Sequence, residues 1–430
     1  MVTSGMSTEL KRSLRLPDVV ALGINGIIGQ GIFLLPGLAA EKMGPASIVA
    51  ITVAGVLSFL IALCFAEAGS RFRSTGGAYV YAKEAFGDFV GFEVGWITCC
   101  VAVISWAALA NGFTLVLGHF VPAVAEGWLQ KAVAVGLMVS LAGVNLLGAR
   151  MGANVSTFFS VAKLVPLVLF IAMGVFAVDA GLFSPFAPQG MGPLAESTLI
   201  ILYAYVGFET LVVPAGEMEN PQRNVPLALM IVMAVVSVVY LSVLAVAIGT
   251  LPGLAGNGNP VAEASALFMG PLGATLVAAG ICVSVFGTNA GAALVSPRRF
   301  YALAERGDLP AILKQTHAGS GAPVPAILTM LVLSVLLSLT GTFKELAILG
   351  VIARFLQYIP TCLAVLVFRK KMGASSFTLP GGPVIPLVTV GLCLWLMYNA
   401  QPDRLIWGGV AVAAGVPLYF LARYNRARQV

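Results

Sequence analysis

The sequence predicts an all-α membrane protein that crosses the bilayer many times. Of its 430 residues, 59% are hydrophobic and only 10% are charged, and the mean hydropathy is +0.97, whereas soluble domains carry about 25% charged residues. Apolar stretches long enough to cross a ~30 Å hydrocarbon core as helices recur along the chain. A glycine-rich interruption lies inside the first of them. We therefore predict a polytopic protein of twelve transmembrane helices with a 5+5 inverted repeat, in which helices 1 and 6 are unwound at the bilayer midplane.

Twelve apolar segments are long enough to be membrane spans. Their approximate bounds are residues 18–40, 46–70, 88–121, 131–150, 155–178, 192–214, 225–250, 269–301, 323–341, 345–369, 383–400 and 404–422. An even number of spans places both termini on the same side of the membrane. Of the 24 lysines and arginines, 18 fall in tails and loops on that side and 4 on the other, while Lys163 and Arg354 fall inside spans. Because positively charged loops stay in the cytoplasm, we predict cytoplasmic tails at residues 1–17 and 423–430.

The first span contains four glycines within nine residues, Gly23, Gly26, Gly29 and Gly31. Each glycine weakens a helix by about 1 kcal/mol relative to alanine. Gly29 lies ten residues after Val19, which at ~1.5 Å per residue is about half of the hydrocarbon core. In lipid, a helix breaks only where protein or a water-filled cavity satisfies the freed backbone groups. We interpret the run as an unwound hinge at the midplane; the alternative is a helix whose glycines pack closely against a neighbour.

The sixth span repeats this feature five spans later. Gly207 and then Glu209 lie near its middle, and a second interrupted span at this separation is typical of an inverted repeat with a binding site between the halves. We predict the first repeat at residues 18–178 and the second at 192–369. The last two spans, at 383–422, lie outside the repeat and are expected to serve packing or dimer contacts.

Five segments resemble motifs of the amino acid-polyamine-organocation (APC) transporter superfamily. They are the glycine run at residues 26–33, the span 6 segment at 203–209, the loop at 217–226 and the inner segments at 76–79 and 299–307. The resemblance covers spans 1 to 10, and Gln30 departs from it because many members carry serine or threonine at that position. It implies a secondary amino acid transporter that works by alternating access, in which spans 1, 2, 6 and 7 rock against a scaffold.

An interrupted helix can bind both the carboxylate and the ammonium group of an α-amino acid. The half-helix that starts after the break presents unpaired amides to a carboxylate, each interaction contributing ~0.3 to 2 kcal/mol, and the half-helix that ends there presents carbonyls to an ammonium group. By carry-over from the resemblance, the amides of Gln30 and Gly31, with neighbouring Gly29, hold the carboxylate. The carbonyls that hold the amine are those of Ile27, Tyr203, Ala204 and Val206, and Gly207 leaves room beside them.

Lys163 lies about nine residues into span 5, and Arg354 lies about ten residues into span 10, so the two cations fall at matching positions of the halves. A charged lysine at the bilayer centre costs at least ~2.5 kcal/mol, so Lys163 is expected to face the protein interior. The resemblance implies that it takes the place of the sodium ion of related transporters. It either carries the coupling proton or braces span 5 against span 1 as a fixed cation; the structural alternative is a lysine that snorkels to the interface.

Arg354 keeps its charge and needs carboxylates or carbonyls around it. Glu209 is the only acid deep in the predicted core spans and is the predicted partner of Arg354, either as a structural ion pair or as a gate near the pocket. The aromatic candidates for capping the pocket are Tyr203, Tyr205, Phe208 and Phe286, and for Phe286 lipid-facing packing is an equal alternative. We expect the remaining polar candidates, Asn111 and Asn289, to hydrogen-bond across helices and not to touch the solute.

The sequence lacks the residues that several other classes of protein require for their function. The net charge of +6 comes from scattered basic loop residues and not from a tract that binds nucleic acid. The two histidines are far apart and the six cysteines lie in apolar spans without a C-x-x-C pair, so we expect no metal. No P-loop, H-E-x-x-H or G-x-S-x-G motif occurs, so we expect no ATP, no cofactor and no enzyme. A channel needs rings of charges or carbonyls along a pore, whereas the charges here are isolated.

The sequence favours a neutral amino acid as the substrate, because no further acid lines the expected pocket. Cationic amino acids and polyamines are the alternative substrates. Proton symport and sodium-independent exchange are both compatible with Lys163. The short tails fit a bacterial inner-membrane protein, and the oligomeric state, monomer or homodimer, stays open.

Overall fold

The protein is described here by a computed structural model that covers residues 6–7, 12–29, 31–118, 120–341, 343–400 and 402–427. These residues are mainly helical. Fifteen α-helices lie within the described ranges: α1 (Leu16–Ile27), α2 (Gly31–Met43), α3 (Ser47–Gly69), α4 (Ala78–Phe86), α5 (Asp88–Leu117), α6 (Gly127–Leu146), α7 (Ala149–Gly174), α8 (Leu194–Tyr205), α9 (Pro221–Thr250), α10 (Pro260–Val295), α11 (Pro297–Glu305), α12 (Val324–Thr340), α13 (Phe343–Lys371), α14 (Val384–Tyr398) and α15 (Pro402–Ala427). Two short strands, β1 (Met6–Ser7) and β2 (Thr316–His317), pair antiparallel.

Ten apolar helical stretches of the described residues overlap segments predicted from the sequence. Among the described residues, six helical stretches are long and apolar enough to cross a membrane, judged by length and composition: Leu35–Gly69, Asp88–Leu117, Gly127–Leu146, Thr157–Ala177, Pro221–Thr250 and Pro260–Glu305. The shorter apolar helices are Leu16–Ile27, Val324–Thr340, Val384–Tyr398 and Gly408–Arg423. The fold is therefore that of a helical membrane protein.

The first predicted interruption is present, between α1 and α2. Helix α1 begins where the backbone amide of Arg15 donates to the Asp18 carboxylate, at 2.9 Å. Its last hydrogen bond runs from the amide of Ile28 to the carbonyl of Ile24, at 2.9 Å, and Ile28 has an extended backbone. Helical structure resumes at Gly31. The glycine run thus separates two helices and does not form one continuous packing surface.

The second predicted interruption is also present, but its second half differs from a helix. Helix α8 ends at Tyr205, Val206 is extended and Gly207 has a φ of +124°. Beyond it the chain forms 3₁₀ turns at Phe208–Thr210 and Ala215–Glu217, and regular α-helix returns only at Pro221. Span 6 is therefore a helix followed by turns. The φ of Gly207 interrupts the helix, and the turns that follow leave peptide groups free of α-helical hydrogen bonds.

Span 8, predicted as one segment, divides at a proline. Helix α10 ends at Val295 and α11 begins at Pro297, which has no amide hydrogen to continue the hydrogen-bond ladder of α10. Arg298 and Arg299 therefore lie on α11, and both are buried. The structure therefore places these two charges on a helix enclosed by the protein and not in a loop.

The interrupted helices lie at the centre of the bundle. Helix α1 packs against α7, α9 and α10, and α2 packs against α8 and α10. Helix α3 packs against α8 and α9, while α5 contacts α10, α12 and α13. One continuous apolar core runs through these contacts. The two interruptions consequently lie in the interior of the bundle, enclosed by other helices.

Candidate substrate-binding site

A cavity of about 100 Å³ lies between the two interruptions, α5 and α10. That volume holds several water-sized groups, which suits a small solute. The described residues that line it are Leu22, Gly26, Ile27, Gly29, Gly31, Val101, Ala102, Ser105, Ala108, Leu109, Tyr203, Ala204, Val206, Gly207, Thr210, Thr288, Gly291, Ala292, Val295, Ser296, Arg299 and Arg354. The cavity therefore joins the two segments that the sequence predicts to form the site.

Most of the predicted binding residues are brought together here. The lining residues that the sequence singled out for substrate contact are Ile27, Gly29, Gly31, Tyr203, Ala204, Val206 and Gly207. Gln30 lies outside the described residues. The predicted group thus converges on one cavity from both interruptions, and its role in binding a solute stays a prediction.

Glycines allow the two interruptions to cross at backbone contact. A Cβ atom at Gly207 would lie 2.5 Å from the carbonyl oxygen of Gly26, and one at Gly31 would lie 2.9 Å from the Cα atom of Ala204. Real Cβ atoms do not approach other heavy atoms so closely, and the φ of Gly207 is one that other residues rarely adopt. At these positions the cavity wall therefore consists of peptide groups and not of side chains.

Tyr240, which sequence reasoning missed, ties the two interruptions together. This residue of α9 is fully buried, and its hydroxyl lies 3.1 Å from the carbonyl oxygen of Ile27 and 3.0 Å from that of Ala204. A hydroxyl has one proton, so it donates to one of these carbonyls at a time. Two carbonyls predicted to receive an amine therefore already share a donor, and each retains a second lone pair.

Lys163 on α7 holds the end of α1. Its amine is fully buried and donates to the carbonyls of Asn25 and Ile28, at 2.9 and 2.5 Å, and to the Thr288 hydroxyl, at 3.0 Å. These carbonyls belong to the last turn before the first interruption. Among the described residues no carboxylate pairs with Lys163. Because the side chain points inward, it does not snorkel.

Thr288 on α10 separates Lys163 from the cavity. Its hydroxyl lies 3.1 Å from both the Asn25 and the Ile28 carbonyl oxygens, and it lines the cavity that Lys163 does not reach. The hydroxyl of Ser284, one turn earlier, donates to Ile28 at 3.1 Å. The end of α1 is therefore surrounded by one amine and two hydroxyls, and Thr288 connects this cluster to the cavity wall.

Glu209 and Arg354 form the predicted ion pair. The Arg354 Nε atom lies 3.0 Å from Glu209 Oε1, and Arg354 Nη2 donates to the Ser105 hydroxyl at 2.9 Å. The other carboxylate oxygen of Glu209 accepts from the Tyr358 hydroxyl and from the amide of Gly207, at 3.0 and 2.9 Å. Glu209 thus stabilises the unwound backbone at Gly207, while Arg354 alone of the pair lines the cavity.

Two of the aromatic residues proposed to cap the pocket point elsewhere. The Tyr205 ring packs edge to face against Tyr240, and the residue lines a separate groove on the other side of α8. Phe208 stacks on Tyr358 and packs against Phe65. Neither lines the cavity, because the helix ends at Tyr205 and helical periodicity does not continue across the break. Of the aromatic candidates, only Tyr203 reaches the cavity wall.

Phe286 does not reach the cavity either. Its ring packs against Phe113 and Phe159, with centroids 5.9 and 4.6 Å apart, so the packing alternative applies. The two asparagines bond across helices as expected. Asn289 donates to the carbonyl of Leu109, and Asn111 donates to that of Ser338.

Arg299 lines the cavity, although the sequence did not lead us to predict it as a site residue. Its side chain is buried, with 3% of its surface exposed, and it lines the cavity. Its Nη1 atom donates to the carbonyl of Thr98 at 3.1 Å. The sequence did contain an indication of its importance, since Arg299 lies inside the predicted span at 269–301. A cation within a membrane span usually has a functional role. Two arginines, and no acidic residue among the described lining residues, therefore face the cavity.

Beyond α11 the end of the bundle is closed by ion pairs. Arg298 forms a fully buried pair with Glu217, 2.6 Å between Nε and Oε1. Lys83 pairs with Asp308 at 2.7 Å. The chain before α1 joins this closure, since the amide of Leu14 donates to the carbonyl of Glu217 at 2.9 Å. This end of the bundle is therefore closed by ion pairs and backbone hydrogen bonds.

Comparison with known proteins agrees with this architecture. A family model described as amino acid permease matches residues 14–406. The methylthioribose transporter of Bacillus subtilis is 30% identical, over 98% of this chain and 95% of the relative. The serine/threonine exchanger SteT of Bacillus subtilis is 26% identical, over 98% and 100%. The branched-chain amino acid permease BcaP of the same organism is 27% identical, over 99% and 95%.

The family match spans both interrupted helices and every element that lines the cavity. Together with the apolar helices it makes the chain a multi-pass membrane protein of a transporter family, not of an enzyme family. The chain belongs to the amino acid permease family, within the APC superfamily.

Proposed function

We propose that this protein is a secondary active transporter that carries a small neutral L-amino acid by alternating access. The observation that supports the proposal is the cavity between the two interrupted helices, lined by peptide groups of both. An amide at the start of α2 faces a carboxylate favourably, and carbonyls at the ends of α1 and α8 face an ammonium group. A zwitterion is the small solute that carries both charges at this spacing.

A neutral side chain is favoured over a cationic one by the charges around the cavity. Arg299 and Arg354 line it, and the described lining residues include no acid. A lysine, arginine or polyamine would place another cation beside two guanidinium groups in a site shielded from solvent. Like charges repel more strongly in a site shielded from water than in solution, and this repulsion disfavours a cationic side chain.

Lys163 is the proposed coupling group. In its protonated form the amine has three donors, which match its three oxygen partners at the end of α1 and on Thr288. Loss of the proton leaves the amine two donors for three oxygen partners, which removes one of its hydrogen bonds and loosens α7 from its neighbours. If Lys163 loses and regains its proton during each transport cycle, the protein is a proton symporter. If the amine stays charged throughout the cycle, the protein is a sodium-independent exchanger.

The proposed architecture is twelve spans with repeats at residues 18–178 and 192–369 and with both termini in the cytoplasm of a bacterial inner membrane. It is supported by the parallel placement of two cations. Lys163 of α7 holds the end of α1 beside the first interruption, and Arg354 of α13 holds Glu209, which caps the backbone at the second. In an inverted repeat, the fifth helix of each half would then hold the first helix of the same half.

Counterflow in proteoliposomes tests this function. Vesicles loaded with one unlabelled solute at a time, from a panel of the twenty amino acids, putrescine and methylthioribose, are diluted into the same radiolabelled solute, with unloaded vesicles as the control. We expect trans-stimulated uptake for a subset of small neutral amino acids and none for lysine, arginine or putrescine. Trans-stimulation by methylthioribose alone would replace the amino acid with a neutral thiosugar, and uptake without trans-stimulation would point to a channel.

A further inference from the structure

Arg299 presents an incompletely bonded guanidinium group to the cavity. Among the described residues, its side chain makes one hydrogen bond, from Nη1 to the carbonyl of Thr98 at 3.1 Å. Its Nε atom is buried and has no hydrogen-bond partner in that part of the chain. A guanidinium carries five N–H donors, and a buried donor without an acceptor is unfavourable. This cavity-lining residue therefore has a guanidinium donor without an acceptor among the described residues.

The neighbouring charges do not neutralise Arg299. Glu209 interacts with it electrostatically, but one oxygen of that carboxylate accepts from Arg354 and the other from Tyr358 and the Gly207 amide. Two guanidinium groups therefore share one carboxylate, and the cluster keeps one positive charge. Buried charge is stable only when it is paired or hydrogen-bonded.

We infer that Arg299 forms a side-chain subsite that takes an oxygen acceptor of the transported solute. The chemical class is a neutral amino acid whose side chain ends in a hydroxyl or amide oxygen. This inference rests on the proposed function, because it places the α-amino and α-carboxyl groups at the interruptions and the side chain toward α11. The Arg299 subsite adds a preference that the peptide groups at the interruptions do not supply. Amino acids with polar side chains bind better than amino acids with apolar side chains of equal size.

The acceptor for the Arg299 guanidinium has an alternative source, which is a free anion such as chloride bound beside it. Both sources satisfy the guanidinium donors with an acceptor, but they predict different behaviour. A side-chain acceptor makes binding depend on the identity of the amino acid. A resident anion makes binding of every amino acid depend on that anion equally.

Isosteric pairs of amino acids test the subsite on detergent-purified full-length protein. Dissociation constants are measured for threonine and valine, and for asparagine and leucine, in chloride and in gluconate buffer. We expect each polar member to bind about tenfold or more tightly than its apolar isostere. In Arg299→Met this ratio should fall to about one, and Arg299→Lys should keep part of it. Arg223→Met, which removes an exposed arginine of α9, is the matched control and should keep the full ratio.

The outcomes separate the inference from the function on which it rests. Equal binding of the isosteres by the wild-type protein overturns the subsite, whereas the transporter proposal stands. Binding of all four amino acids that disappears together in gluconate assigns the guanidinium to a free anion and also overturns it. Failure of every amino acid to bind overturns both proposals. If Arg299→Met does not yield monodisperse protein, the wild-type ratio and its reduction in Arg299→Lys decide.

Discussion

Substitution of Gly207 by alanine is predicted to abolish transport while leaving a folded protein. The added Cβ would lie 2.5 Å from the carbonyl oxygen of Gly26, where ordinary contacts begin at 3.4 Å, so the two backbones must separate by about 0.9 Å. The φ of +124° adds strain of about 1–3 kcal/mol. A displacement of this size in a positioned site can reduce the rate about 100-fold.

The assay is counterflow of the best amino acid from the transport panel, together with its dissociation constant in detergent. Gly136→Ala in α6 is the matched control, since a Cβ there meets nothing within 4 Å and the helix gains propensity. Size-exclusion profiles establish that both variants fold. A Gly207→Ala protein that binds and exchanges the amino acid like the wild type would refute the claim that the crossing of the two interruptions forms the site.

Three further predictions concern the groups around the interruptions. Lys163→Ala should remove the stimulation of uptake by an inward proton gradient, reducing the ratio of rates with and without the gradient to about one, and an unchanged ratio would exclude Lys163 as the coupling group. Glu209→Gln and Arg354→Met should each reduce counterflow at least tenfold, because each leaves a buried group unpaired. Recovery in the double variant would identify a structural pair, and no recovery a direct functional role. Tyr240→Phe should destabilise the protein by about 1–3 kcal/mol, since two buried carbonyls lose their shared donor; an unchanged thermal midpoint would contradict this.

The interruptions could be predicted because their cause is local. A glycine run in an apolar segment lowers helix stability where it occurs, and the positions of Gly29 and Gly207 therefore identify both breaks. Lys163 could be placed in the interior for a similar reason, since a cation in a long apolar segment has no other favourable location. The pairing of Glu209 with Arg354 followed from the scarcity of buried charges. In each case one residue type in an apolar context was enough.

The remaining features depend on how distant segments meet. The backbone beyond the end of α8 determines the directions of the Tyr205 and Phe208 side chains, because helical periodicity no longer applies there. Tyr240 resembles any other aromatic residue of an apolar helix until the two interruptions are placed beside it. Arg299 was taken for a loop charge because it lies two residues before the predicted end of span 8, where composition does not distinguish a loop from an enclosed helix such as α11.

The most direct test of the account is an experimental structure of the protein bound to the amino acid with the strongest counterflow. We predict that the amino acid lies in the cavity between the interruptions, with its carboxylate against the amide of Gly31 and its ammonium group against carbonyls of Ile27 and the 203–206 segment. Binding outside this cavity, or a complex in which either interruption has become continuous helix, would contradict it.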